Sequence, residues 1–112
     1  MSKPSDRPYS RYSRDALTLL GQLIRRARID RKLTAGELAT RAGVSRGLIQ
    51  RIERGDPGCT IGAVFEIAAI LGVRLFDADA STIRKAIGTN DTVLGLLPKS
   101  VRPSRKEEED DF

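Results

Sequence analysis

The chain has 112 residues, of which 39% are hydrophobic and 31% charged, and its formal net charge is +5 at pH 7. This length suits one small domain with flanking segments, and no apolar run approaches the roughly 18 residues needed to span a membrane. Histidine is absent and Cys59 is the single cysteine, which argues against a disulfide framework and a zinc site.

The first predicted helix follows a polar N-terminal segment. Residues 1–12 contain two prolines and three serines, and we predict a disordered N-terminal arm there. Ser13 and Asp15 favour the start of a helix. The inner stripe of that helix is marked by apolar residues at helical spacing, Leu17, Leu20, Ile24 and Ala27. We therefore place a folded domain at residues 13–76.

Residues 34–55 predict two short helices around a tight glycine turn. Thr34 can cap the first helix, and Glu37 can reach back to complete a capping box. Gly43 supplies the left-handed residue that ends this helix, and Ser45 can cap the next one. This arrangement is typical of the DNA-binding helix-turn-helix. An ordinary helical hairpin is the alternative.

The second of these helices has an apolar side and a polar side. Ile49 and Ile52 lie three residues apart and would face the core. The opposite side carries Arg46, Gly47, Gln50, Arg51 and Arg54. Arginine contacts guanine bidentately, and the first turn of a recognition helix enters the major groove. The polar side therefore predicts base contacts, and a solvated charged face is the alternative.

Gly47 has two interpretations, because glycine in a helix interior costs about 1 kcal/mol relative to alanine. Either it lets the backbone lie close to DNA, or a first-turn position simply tolerates a poor helix former. The sequence favours neither of the two.

Glu53 predicts an ion pair. It lies four residues after Ile49 and leans toward the core, near a helix C-terminus where the dipole disfavours an anion. Arg28 lies four residues after Ile24 and leans inward as well. We expect Arg28 and Glu53 to form a buried or half-buried pair.

The next segment predicts a fourth helix and then an amphipathic extension. Thr60 can cap helix four, whose broad apolar surface indicates a buried core spine that ends at Gly72. Residues 77–97 repeat apolar positions at helical spacing, with an interruption at Gly88 and Asn90. Such an apolar surplus favours dimerisation with a second copy of the chain. The alternative is that this segment folds back onto its own core.

Charge is distributed unevenly along the chain. Residues 1–60 contain thirteen Lys or Arg and six Asp or Glu, and this excess favours a polyanion partner. Residues 98–112 contain two prolines, four cations, the run EEEDD and the terminal Phe112. We predict a flexible charged tail, either an interaction segment anchored by Phe112 or a solubilising appendage.

Residues 17–73 resemble the Xre, or Cro/CI-repressor-like, helix-turn-helix family. The matching pieces are an RxxR end of the first helix, TxxELAxxAGVS, IxxIExG and an LGV ending. The resemblance implies an all-α fold, a five-helix bundle with a helix-turn-helix, to which this chain adds a C-terminal extension and disordered tails. It also implies a dimer that binds double-stranded DNA, and we expect an inverted-repeat operator.

The resemblance further implies roles for individual residues. Base contacts fall on Arg46, Gly47 and Arg51, with Gln50 nearby. Phosphate contacts fall on Thr34, Ala35, Ser45 and Arg54. Ala35 departs from the family's usual polar residue, which puts its contact in question. The structural ion pair of the family falls on Arg28 and Glu53.

The tail is similar to that of HipB-type antitoxins of HipA-kinase toxin–antitoxin modules, through LPKSVRP and the acidic DDF ending. This resemblance implies a repressor of its own operon that also holds a HipA-type kinase toxin inactive. A stand-alone regulator, such as a phage-type repressor or a restriction–modification control protein, is the alternative.

Catalysis and secretion are not expected. The sequence offers no nucleophile with a neighbouring base, no metal-ligand cluster and no glycine-rich phosphate loop, so we expect neither an enzyme nor a cofactor. The polar first residues show no signal peptide. We therefore expect a cytoplasmic, nucleoid-associated protein that does not bind membranes.

Overall fold

The computed structural model describes residues 8–104. Its helices are α1 (Arg11–Asp30), α2 (Ala35–Ala42), α3 (Arg46–Glu53), α4 (Ile61–Leu71) and α5 (Ala80–Leu96). No strand occurs among the described residues, so the all-α prediction with five helices is confirmed. The chain divides into two units, Met1–Asp77 with α1 to α4 and Ala78–Phe112 with α5. Within residues 8–104, no helix is long and apolar enough to cross a membrane.

The predicted caps set the boundaries of α2 and α3. Thr34 Oγ1 accepts a hydrogen bond from the Glu37 N–H at 3.0 Å, and Glu37 Oε1 accepts one from the Thr34 N–H at 2.9 Å. Gly43 ends α2 with a φ of 69°, which lies in the left-handed region that glycine favours. Ser45 Oγ then accepts from the Leu48 N–H at 3.1 Å and begins α3.

One helix boundary and one capping bond differ from the prediction. Ser10 rather than Ser13 caps α1, because Ser10 Oγ accepts from the Ser13 N–H at 3.2 Å. Arg11 and Tyr12, which we placed in the N-terminal arm, are therefore helical. Thr60 stands at the cap position of α4, but its side chain makes no capping hydrogen bond.

The core of the first unit draws on all four of its helices. Its buried apolar residues are Ile24, Leu38, Ala39, Ile49, Ile52, Ile67, Ala68 and Leu71. Helix α4 contributes Ile67, Ala68 and Leu71 to this core, as its apolar surface predicted. Its other apolar side is not buried, since Ile61 is 73% exposed and Phe65 38% exposed. Helix α4 contacts α1 and α2, so the side turned away from them stays uncovered. There the Phe65 ring stacks on the Phe76 ring, with centroids 6.0 Å apart.

Gly21 allows α1 to cross α3 at close range, a role that the sequence analysis missed. A Cβ at this position would lie 2.6 Å from the Ile52 carbonyl oxygen and 2.7 Å from that of Glu53. Gly55, with a φ of +77°, also lies close to α1, since a Cβ there would be 3.1 Å from the Thr18 Cα. These two contacts fix the C-terminal end of α3 against α1.

Helix α5 runs without a break through Gly88 and Asn90, so the predicted interruption is wrong. The cost of one glycine, about 1 kcal/mol, is too small to end a helix that its other residues support. Asp79 Oδ1 caps the first turn by accepting from the Thr82 N–H at 2.8 Å. No residue of α5 is buried.

Candidate nucleic-acid interface

The ion pair expected between Arg28 and Glu53 ties α1 to the end of α3. Arg28 Nε donates to Glu53 Oε2 at 2.7 Å, and Arg28 Nη2 donates to Oε1 at 3.0 Å. A third donor, Nη1, bonds the Leu33 carbonyl oxygen at 2.9 Å. The side chains are only 14% and 8% exposed, and the hydrogen bond to Glu53 raises the pKa of Arg28. With Gly21, this pair orients α3.

The polar side of α3 presents one row of exposed residues. Arg46, Gln50 and Arg54 lie four residues apart and are all exposed, and side chains at this spacing share one face of a helix. Gly47 lies beside the first of them. The nearest atom that a Cβ on Gly47 would meet is Ser45 Oγ, at 3.9 Å. Packing within the chain therefore gives no reason for glycine at this position.

This row borders a basic concavity of about 690 Å³. Arg46 and Arg54 line it from α3, Arg25 lines it from α1, and Lys32 lines it from the turn before α2. Glu53 is the one carboxylate among its lining residues, and Glu53 is already bound to Arg28. Four cations thus face one hollow without a matching anion, which makes this surface attractive to a polyanion.

Arg25 and Lys32 line this surface but were not among the residues that the sequence predicted to contact DNA. Neither side chain makes a hydrogen bond or ion pair with another residue of the described range. Two local features of the sequence could have identified them. Arg25 precedes the inward-leaning Arg28 by three residues and so shares its side of α1, and Lys32 lies two residues before the Thr34 cap.

The start of α2 adds backbone donors at the edge of the concavity. The N–H groups at a helix start lack partners within the helix, and the capping box satisfies those of Thr34 and Glu37. The N–H groups of Ala35 and Gly36 remain for an outside acceptor. The hydrogen bonds from Thr34 also lower the pKa of Glu37. The start of α2 can therefore bind an anion through its backbone even though Ala35 has no polar side chain.

Arg51 occupies a different place from the one we predicted for it. Its Nε donates to Asp56 Oδ2 at 2.9 Å, and its Nη2 donates to the Gly58 carbonyl oxygen at 3.3 Å. Asp56 Oδ1 in turn accepts from the Gly58 N–H at 2.7 Å. The bonds from Arg51 and from Gly58 lower the pKa of Asp56. A base contact through Nε or Nη2 of Arg51 would compete with these bonds to the turn that follows α3.

The structure thus brings together most of the residues that the sequence predicted. The concavity is lined by five of the eight predicted DNA contacts, Thr34, Ala35, Arg46, Gln50 and Arg54, and by the ion pair of Arg28 and Glu53. Ser45 and Gly47 lie next to Arg46 in the chain without lining it. Arg51 is turned into the loop, and Phe112 lies outside the described residues.

Residues 19–79, just over half of the chain, match a family described as a helix-turn-helix domain. The chain belongs to the helix-turn-helix domain family. Helices α2 and α3 form the motif, and the protein is a DNA-binding helix-turn-helix protein. This match agrees with the Xre-like resemblance of residues 17–73. No curated protein and no solved structure matches the chain.

Proposed function

We propose that this helix-turn-helix protein is a sequence-specific transcriptional repressor whose helix α3 enters the major groove of its operator. The observation that supports this most directly is the exposed row on α3 beside a basic concavity. Arg46 stands in the first turn of α3, from which a recognition helix contacts base edges. Arginine can bind guanine bidentately and glutamine can bind adenine, so Arg46 and Gln50 are the proposed base contacts.

Gly47 belongs to the same proposal. A glycine that internal packing does not require lets the α3 backbone approach the wall of the groove closely. Arg51, in contrast, is assigned to holding the turn after α3 and not to base contact, because two of its three donor nitrogens already bind Asp56 and Gly58.

The proposed phosphate contacts surround the base contacts. Arg25, Lys32 and Arg54 supply charge, and the N–H groups of Ala35 and Gly36 supply backbone donors. The hydroxyls of Thr34 and Ser45 accept capping bonds but each keeps an O–H that can donate. Such contacts position a protein on the duplex without specifying sequence.

A phosphate role predicts a change in salt dependence. The double variant Arg25→Ala/Lys32→Ala should reduce the slope of log K against log salt concentration by about 2, at roughly 1 per lost phosphate contact. Arg74→Ala is the matched control, because Arg74 is exposed and lies away from the concavity. Fluorescence anisotropy on one duplex across a salt series measures this slope for the double variant and for the control. An unchanged slope in the double variant would exclude Arg25 and Lys32 from the phosphate contacts.

The operator itself is the test of the repressor proposal. Repeated selection from a random duplex library with the full-length chain should enrich an inverted repeat, with half-sites about one DNA turn, roughly 34 Å, apart. Such a repeat follows from the homodimer we propose, in which residues 77–97 provide the contact. Binding without enrichment of any sequence would contradict sequence-specific repression.

We further propose, from the resemblance of the tail, that the protein is the antitoxin of a HipA-type kinase toxin and represses its own operon. The proposal includes no catalytic activity and no cofactor. A pull-down from native lysate should recover a kinase-like protein with the full chain and lose it with a chain that ends at Leu97. Recovery with both chains would move the contact to the folded part. Recovery of DNA without a kinase would leave a stand-alone regulator.

A further inference from the structure

Helix α5 carries a heptad repeat along one face. Ile83, Ile87, Asn90 and Leu94 follow each other at alternating spacings of four and three residues, which is the pattern of the core positions in a coiled coil. Leu97, at the C-terminal cap of α5, continues the spacing one residue beyond the helix. The four apolar members are 38%, 55%, 65% and 52% exposed. The opposite face carries mainly small and polar residues, Ser81, Lys85, Gly88, Thr92 and Gly95, with Leu96 at its C-terminal end 82% exposed. A single amphipathic seam of this kind fits another helix with the same pattern.

We propose that α5 pairs with α5 of a second copy of this chain in an antiparallel coiled coil. This inference deepens the dimer contained in the proposed function and rests on it. In that register Ile83 packs against the partner's Leu94, and Ile87 packs against the partner's Asn90. Large and small residues also match at the ends, since Ala80 meets the partner's Leu97.

Charge complementarity selects both the occupant and its direction. Arg84 and Asp91 lie at equivalent positions beside the seam, seven residues apart. In the antiparallel pair Arg84 lies beside the partner's Asp91, and the twofold axis repeats this ion pair. The other side of the seam brings Ala86 beside the partner's Val93 and extends the apolar contact.

A parallel pair would be less complementary. Asp91 would then lie beside the partner's Ala86 and have no cation opposite it. Arg84 would meet only the partner's Asp79, and the carboxylate of Asp79 already caps α5 through the Thr82 N–H.

Asn90 is the one polar residue in the seam, and it fixes the register. The two copies of Asn90 fall in the adjacent central layers, on either side of the twofold axis. A shift by one heptad would separate them and bury each amide alone among apolar side chains, which is unfavourable. A single polar core position is the device by which coiled coils select one register and one number of strands.

Charge reversal of the full-length chain tests the pairing. At low salt, Arg84→Asp and Asp91→Arg should each weaken dimerisation by about tenfold, because each replaces two attractive pairs with two repulsive ones. The double variant Arg84→Asp/Asp91→Arg should return the dimer Kd to within about twofold of wild type, because it restores both pairs with exchanged signs. Lys85→Asp changes the same charge on the opposite face and should leave the Kd unchanged. Sedimentation equilibrium measures the dimer Kd of these four variants and of the wild type.

Cysteine cross-linking tests the direction in a Cys59→Ser background. Under oxidation, Ile83→Cys combined with Leu94→Cys should give covalent dimers, because these positions face each other in the antiparallel pair. Ile83→Cys alone should remain uncross-linked, since its two copies lie about 16 Å apart along the axis at 1.5 Å per residue. Covalent dimers of the single variant would overturn the antiparallel direction.

Two results would overturn the pairing itself. These are a monomeric wild-type chain, and a charge-reversed double variant that stays as weak as the single variants. Operator selection on the wild type separates this inference from the proposed function. A monomer that still enriches one sequence refutes only the α5 pair, and a dimer that enriches none refutes the repressor.

Discussion

At the scale of residues, arginines near α3 differ by what they already bind. Arg28 is held by Glu53, and Arg51 is held by Asp56. Arg46 and Arg54 have no such partner within the described range, and both line the basic concavity. An arginine that has no internal partner keeps all of its donors for an outside acceptor. The proposed division between positioning and DNA-contacting arginines rests on this difference in partners.

Removal of Arg28 should destabilise the fold. Arg28→Ala leaves the Glu53 carboxylate nearly buried without its cation, and the loss of one partner of such a pair costs about 3 kcal/mol or more. Arg26→Ala, a change at an exposed neighbour on α1, should alter the free energy of unfolding little. Urea denaturation followed by circular dichroism compares the two. Equal urea midpoints for the two variants would show that the Arg28–Glu53 ion pair does not stabilise the fold.

Asp56 predicts a pH-dependent contribution to stability. Arg51 and the Gly58 N–H lower the pKa of Asp56 in the folded state. Its contribution is therefore complete above the unfolded pKa of about 3.9 and is lost as pH falls through the lower folded value. Asp56→Asn should be less stable than wild type at pH 7, and the difference should shrink in acid.

Denaturation of both proteins from pH 7 to pH 2 checks this, with Asp30→Asn as the control for an exposed carboxylate. A difference that stays constant over the whole range would contradict the role assigned to the charge of Asp56.

At the scale of elements, the crossing of α1 and α3 places the recognition helix. Gly21→Ala would set a methyl group 2.6 Å from the Ile52 carbonyl oxygen, so α1 and α3 would have to separate at a cost of roughly 1–3 kcal/mol. Gly62→Ala is the control, since nothing lies within 4 Å of a Cβ there, and it should stabilise α4 by up to about 1 kcal/mol. Thermal unfolding of the two variants should shift the Tm in opposite directions. A Tm increase for both variants would show that α1 and α3 can accommodate a methyl group where they cross.

Local signals predicted the motif well. Thr34, Gly43 and Ser45 end or begin helices through bonds to residues three or four positions away, and such bonds can be inferred from the sequence itself. The pair of Arg28 with Glu53 followed from the helical periodicity of α1 and α3, combined with the need of a buried anion for a cation.

At the scale of the whole molecule, the features that the sequence did not predict depend on contacts between distant parts of the chain. The exposure of Ile61 depends on which side of α4 meets its neighbours. The closure of the concavity around Arg25 and Lys32 depends on how near α1 lies to α3, which Gly21 determines. The bond of Arg51 to Asp56 was not predicted, because Asp56 lies in a turn whose path the helical pattern of α3 does not specify.

The most direct test of the account compares Arg46→Ala with Arg54→Ala on the selected operator and on random DNA. Arg46→Ala should lose roughly 1–3 kcal/mol of binding on the operator and little on random DNA, because it removes a base contact. Arg54→Ala should weaken both duplexes similarly and reduce the salt slope by about 1, because it removes a phosphate contact. Equal losses on operator and random DNA for Arg46→Ala would contradict the claim that the exposed row of α3 recognises sequence.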